Sequence, residues 1–289
     1  MAKFSFKKFS LNIFDLLKNA SLWCIMLVIA IFLFILAYFA LFFKSANLPI
    51  RRSALEQIYM IPVNEAFDEI IDKSECTCPF CKLHKKLQRD ELDIILGASM
   101  MEPDIRIKTN EQGFCHNHHL MMQRRQRMLG IGLMLESHLA EVEKKVNGPT
   151  LIGSRSKAAV AALTKLEDDC YVCSRIEKNL SMMIATAVYL WEVDYQEFRQ
   201  KFSKMPYFCL PHYRKMIDYA EKKSSKRIFA DFYKAAHGIE TAYLTSLKGD
   251  VSWFCKKFDY RYDEEPWYNA KDAVFRAEKF LSGDPGYEE

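Results

Sequence analysis

From about residue 54 onward, apolar positions recur every three to four residues. Val63, Ala66, Phe67, Ile70 and Ile71 form one stripe, and Met128, Ile131, Leu135, Leu139, Val142 and Val146 form another. Ile176, Leu180, Met183, Ala187, Trp191, Tyr195 and Phe198 follow, then Tyr213, Met216, Ile217 and Ala220, then Phe232, Ala236, Ile239 and Tyr243. That spacing puts each set on one face of a helix, and no stretch alternates with a period of two, so the pattern predicts an all-α fold. The Met and aromatic residues in these stripes read as packing between helices. Before residue 54 the pattern changes. Leu22 to Phe43 carries no charged residue and is apolar all round. As a helix this run measures about 33 Å, against a bilayer core of about 30 Å. It exceeds the apolar region of a signal peptide, and no small-residue cleavage pattern follows it. The expectation is a short tail (1–21), one transmembrane helix (22–43) and a linker (44–53).

Composition narrows the classes. With only 10 Gly and 9 Pro in 289 residues, the chain is neither loop-dominated nor disordered. A net charge of +4 is too small to imply a nucleic-acid partner. The local basic clusters, Arg124, Arg125 and Arg127, and Lys222, Lys223, Lys226 and Arg227, read as solvated helix faces. Nine cysteines remain to be explained.

The cysteines expose a repeat around the turn signal Asn147-Gly148-Pro149. Cys78-Pro79-Phe80-Cys81 is followed by Phe114-Cys115-His116-Asn117-His118; Cys170-Tyr171-Val172-Cys173 is followed by Phe208-Cys209-Leu210-Pro211-His212. Both halves read C-x2-C, a helix-length spacer, then F-C-x2-H. The two C-x2-C pairs are offset by 92 positions, and the two C-x2-H pairs by 94. Such self-similarity marks a duplicated unit. The halves are bounded as 54–147 and 156–280, joined by 148–155, with a frayed tail at 281–289.

Thiolate sulfur and imidazole nitrogen are the donors that Zn²⁺ prefers, four to a tetrahedron. The spacing therefore predicts two structural zinc sites of three Cys and one His: Cys78, Cys81, Cys115 and His118 in the first half, and Cys170, Cys173, Cys209 and His212 in the second. Each ion would staple the ends of a helical hairpin within its half. Cys76, His84, His116 and His119 are surplus in the first half, and Cys76, His116 or His119 could replace a ligand there. Cys76, Cys78, Cys81 and Cys115 would form an alternative Fe–S set. Cys255 has no counterpart in the repeat and reads as a free thiol. A second reading is thiol–disulfide exchange, since Cys-Pro-Phe-Cys resembles a glutaredoxin-type bracket. That chemistry belongs between a strand and a helix, and no strand pattern flanks it. Disulfides would leave the repeated His unexplained. No phosphate-cradling Gly loop, G-x-S-x-G or H-E-x-x-H occurs, and no carboxylate pair stands out, so a binding or scaffold module is favoured over an enzyme.

Several motifs in order also resemble the DUF6062 family of uncharacterised proteins, mainly from anaerobic Firmicutes. They are Ile61-Pro62-Val63-Asn64-Glu65-Ala66-Phe67, Cys78 to Cys81, Met100-Met101-Glu102-Pro103-Asp104-Ile105-Arg106, Gly113-Phe114-Cys115, Cys170 to Cys173, Phe208 to His212, and Lys257-Phe258-Asp259-Tyr260-Arg261. The resemblance covers about residues 55–280. It implies a cytosolic-type helical protein without known activity and, through a label on some relatives, an accessory role beside an ABC transporter. The expected partners are the bilayer and an unidentified protein, with the oligomeric state open. Lys3, Lys7, Lys8 and Lys18 precede the span while Lys44, Arg51 and Arg52 follow it, a near tie whose single extra charge favours an inside N-terminus and so an outside main domain; the thiol chemistry outweighs it. Thiol ligands persist where they stay reduced, which places the soluble domain in the cytoplasm.

Overall fold

The helical pattern is realised. A computed structural model describes residues 54–147, 155–194 and 196–286. Among these it contains eleven α-helices and no strand. They are α1 (Ala54–Lys73), α2 (Pro79–Ile95), α3 (Pro103–Gln112), α4 (His116–Arg124), α5 (Met128–Asn147), α6 (Arg155–Asp168), α7 (Tyr171–Val193), α8 (Phe198–Ser203), α9 (Leu210–Lys223), α10 (Lys226–Lys256) and α11 (Ala273–Ser282). The predicted span 22–43 lies outside the described residues. Among the described residues no helix is long and apolar enough to cross a membrane.

Helix α7 organises the rest. It packs against α1, α2, α8 and α9, and its buried residues run from Tyr171 and Val172 through Ile176, Leu180 and Ile184 to Trp191. Ala185 and Ala187 let neighbours approach closely on more than one side. Arg175, near the start of α7, pairs with Glu91, near the end of α2, so the two helices lie antiparallel. Their opposite ends enter two separate cores. The first gathers Phe67, Phe80, Phe198, Phe202, Phe208 and Phe232 around the later part of α7. Phe67 alone meets four of these rings, with centroids 5.0–6.5 Å apart. The second gathers Leu92, Ile95, Met121, Met122, Ile131 and Met134 around the beginning of α7.

Most predicted stripes are buried, and the departures have local causes. On α5 the buried positions are Gly130, Ile131, Met134 and His138, while Met128, Leu139 and Val146 from the predicted stripe are exposed. Helix α5 lies at the rim, packed mainly on α3 and α6. The stripe through Trp191 does not continue into one helix. Asp194 ends α7 in a non-helical conformation, and the buried Phe198 begins the separate α8. Tyr195 lies outside the described residues. The loop at 100–103 holds a short 3₁₀ turn, Ala98–Met101, before Pro103 starts α3. Arg125, one of the basic cluster, pairs with Asp93.

One carboxyl is anomalous in the first core. Glu240 of α10 is buried; its Oε2 accepts the Phe208 N–H at 3.4 Å, and its Oε1 has no hydrogen-bond partner. Burial pushes its pKa up to about 7, against an ordinary 4.5. The folded state therefore holds this proton through a pH window in which the unfolded chain has released it. Stability is unaffected below pH 4.5, falls as pH rises from there to about 7, and stays reduced above. The penalty is on the order of 3 kcal/mol at alkaline pH. Glu240→Gln should be the more stable protein in denaturant titrations at pH 8, with the gap closing towards pH 4.5; a gap independent of pH would contradict the assignment.

Candidate metal centres

The same local device recurs four times. Cys78, Cys115, Cys170 and Cys209 each stand in extended backbone at the N-cap of a helix: α2, α4, α7 and α9 respectively. In each, the second ligand-type residue lies three positions on, in the first turn: Cys81, His118, Cys173 and His212. C-x2-C and C-x2-H are therefore one geometry. It presents two donors from a helix start, where the first backbone N–H groups and the positive end of the helix favour a thiolate. Pro79 and Pro211 sit in first turns, where the missing N–H costs nothing.

The helix starts meet in pairs, but not as the repeat implies. Cys78 and Cys81 meet Cys209 and His212 (site A); Cys170 and Cys173 meet Cys115 and His118 (site B). The predicted pairing within each half, and with it the hairpin stapled within a half, is thus corrected: each site takes its C-x2-C from one half and its C-x2-H from the other. The antiparallel α2–α7 pair is the reason. The two C-x2-C starts lie at opposite ends of that pair, and the C-x2-H that reaches each end belongs to the other half. All eight predicted ligand residues fall in these two groups. The Fe–S set is divided, with Cys78 and Cys81 in site A, Cys115 in site B and Cys76 in neither.

Distances suit a metal ion. In each site the four donor atoms lie within 4.8 Å of one another. In site A, Nδ1 of His212 is 3.7 Å from Cys78 Sγ, 3.5 Å from Cys81 Sγ and 3.0 Å from Cys209 Sγ, and the Cys81 and Cys209 sulfurs are 3.5 Å apart. In site B, Nδ1 of His118 is 3.1, 3.3 and 3.4 Å from the sulfurs of Cys115, Cys170 and Cys173, and the Cys115 and Cys173 sulfurs are 3.9 Å apart. The edges of a tetrahedron around zinc are about 3.8 Å between sulfurs and about 3.6 Å between sulfur and nitrogen. A disulfide would need about 2.05 Å, and all the described cysteines are free thiols. Cys-Pro-Phe-Cys is not in a strand–helix setting either, so the structure gives the exchange reading no support.

Protonation points the same way. In site B, hydrogen bonding from Cys173 and then His118 holds Cys170 down to about 3. Cys173 is pushed far above its usual range by its hydrogen bond to Cys170 and by burial. In site A, burial and then hydrogen bonds with Cys209 and Cys81 push Cys78 far up, while hydrogen bonds with Cys209 and Cys78 hold Cys81 far down. Thiols this close resist ionising together unless a cation neutralises them.

The surroundings distinguish the two sites. In site B the Gln88 side-chain amide lies 3.1 Å from Nε2 of His118. The atom in contact is the amide nitrogen, so Gln88 braces the ring at the nitrogen that does not face the three sulfurs, the place where a histidine ligand takes its outer support. Gly113 (φ 66°) turns the chain between α3 and the Cys115 loop, and a side chain there would strike the His138 ring at 3.0 Å. Its carbonyl accepts the Tyr171 N–H at 3.0 Å, tying the two ligand loops together. In site A the C-terminal segment is a strap. Gly283 packs against the Cys209 and Cys81 sulfurs, and the Asp284 N–H donates to Cys81 Sγ at 3.3 Å. Asp284 is held by Lys85 and Lys279 at 3.0 and 3.1 Å. Residues 283–286 are therefore packed, which corrects the expected frayed tail; the sequence signal available was a Gly-Asp pair with lysines nearby, too common to read. The surplus residues stay outside both sites. His116 is exposed, His119 packs on Phe114, and Cys76 faces the Tyr243 hydroxyl. His84 is kept neutral, with its pKa down to about 4 through burial and then nearby His212.

A family model described as a family of unknown function, DUF6062, matches residues 54–287, which hold all eight candidate ligands and the strap. The chain belongs to the DUF6062 family. No curated protein and no solved structure matches it. The DUF6062 region begins with α1 and runs through the strap, so both candidate centres lie inside it.

The crossed pairing is testable by metal content. The double variant Cys78→Ser/Cys209→Ser should lose one metal ion per chain and keep the other, while Cys78→Ser/Cys115→Ser should lose both. Pairing within each half would reverse the two results in native mass spectrometry.

Proposed function

We propose that this protein is a zinc-stapled helical scaffold without catalytic activity, carried on a single membrane span with its DUF6062 domain in the cytoplasm. The observation that carries the reading is the pair of crossed Cys₃His groups. The preference for Zn²⁺ follows from the donors, three sulfurs and one nitrogen in a four-donor set. A complete set leaves no open position for a substrate, which favours structural over catalytic metal. Each ion would join helix starts from both halves, so metal binding is folding free energy for the entire domain. The anchor rests on the uncharged run from Leu22 to Phe43, and the orientation on six thiolate ligands that need reducing surroundings.

Elemental analysis of the full-length protein, purified reduced and without chelator, should give two zinc ions per chain. Iron with sulfide would replace zinc by a cluster, and no metal would refute the reading. Cys209→Ser should lower the melting temperature far more than Cys255→Ser, since Cys209 is buried in site A and Cys255 is exposed outside both sites. In sealed cells, a membrane-impermeant lysine reagent should leave residues 54–289 unmodified until lysis; modification before lysis would reverse the orientation.

A further inference from the structure

The two centres differ in access. In site A, Cys78 and Cys209 are fully buried, Cys81 is nearly so, and the strap of residues 283–286 lies over Cys209 and Cys81. Site B has no such cover among the described residues. His118 and Cys170 are buried, but Cys173 is exposed and Cys115 is half-buried. These two accessible sulfurs lie 3.9 Å apart and come from different motifs and different helix starts. They therefore form a dithiol edge that a small solute can reach from one side.

We propose that this edge is a peroxide-reactive site: Cys173 reacts first as the nucleophile, Cys115 resolves it, and the oxidation releases the zinc of site B while site A keeps its own. The proposal rests on the zinc reading above. The Cys173 thiolate attacks one oxygen of hydrogen peroxide; an S–O bond forms, the O–O bond breaks, and hydroxide leaves. The Cys115 thiolate then attacks the Cys173 sulfur. An S–S bond forms, the S–O bond breaks and a second hydroxide leaves. Two solvent protons convert the hydroxides to water, and the two thiolates supply the two electrons that reduce the peroxide. The sulfurs close from 3.9 Å to about 2.05 Å. The ion is left with only Cys170 and His118 and departs. Unlike exchange at a C-x2-C pair, this reaction uses one sulfur from each ligand motif.

The test uses the full-length reduced protein after its zinc content has been measured. Hydrogen peroxide is added in stoichiometric amount, free zinc is read with a chromogenic chelator, and thiols are alkylated and mapped by mass spectrometry. One of two zinc ions should appear, together with a Cys115–Cys173 disulfide, while Cys78, Cys81 and Cys209 remain thiols. Asp284→Ala, which removes the carboxylate that Lys85 and Lys279 hold and leaves all eight donor side chains unchanged, should release the second ion as well. Release of both ions from the wild type, release of neither, or a disulfide within site A would overturn the proposal. So would retention of thiols at Cys115 and Cys173 while the exposed Cys76 and Cys255 oxidise. If the starting zinc content is zero, the zinc reading fails separately. The thiol map then decides the rest, since oxidation spread equally over both sites contradicts a selective edge.

Discussion

Three thiols and an imidazole held within a few ångströms of one another are unstable as neighbours unless a cation sits among them. Protonated, they form poor hydrogen bonds in an apolar core; deprotonated, they repel. The fold brings such a set of donors together twice. Donors are supplied in pairs because a helix start is the shortest element that offers two of them, and its unpaired N–H groups and dipole favour the charged form. Four donors then require two helix starts to face each other. In an antiparallel pair such as α2 and α7, the starts lie at opposite ends, so two sites result, one in each hydrophobic core.

This arrangement makes the halves inseparable. Had each half closed its own site, the chain would be two beads joined by residues 148–155. Instead α7 from the second half is the central packing element for α1 and α2 of the first, and each C-x2-C is completed by the other half. The supports are shared too. Helix α2 gives Cys81 to site A and Gln88, two turns along, to the His118 of site B. Glu240 holds the Phe208 N–H just ahead of Cys209, so a carboxyl on α10 steadies the loop that delivers a ligand.

Much of this was legible in the sequence because it depends on local spacing. The 3.6-residue period of Val63, Phe67 and Ile70, the Cys-x2-Cys and Cys-x2-His intervals, and Pro at the first turn are all properties of one helix and its cap. The choice of the eight residues that come together in the two groups followed from those intervals. Their partnership did not, because a repeat states what is alike and says nothing of which copies touch. Pairing was settled by the antiparallel placement of α2 against α7, a tertiary fact carried by interactions such as Arg175 with Glu91. The exposed face of α5 escaped for a similar reason: Met128, Leu139 and Val146 keep helical spacing, but the rim position of the helix leaves them uncovered. The strap was invisible because a glycine over two sulfurs leaves no mark in composition.

The crossed pairing also sets an order of assembly during synthesis. The ligands of site B are at most 58 positions apart, between Cys115 and Cys173. Those of site A span up to 134, from Cys78 to His212. At roughly 5–20 residues per second, Cys78 and Cys81 leave the ribosome on the order of ten seconds before their partners exist. During that interval the most deeply buried thiols of the finished protein are its most exposed. The site that ends up best sealed thus has its first two thiols waiting longest for their partners, and the strap, translated after all eight candidate ligands, closes over it only once they are present.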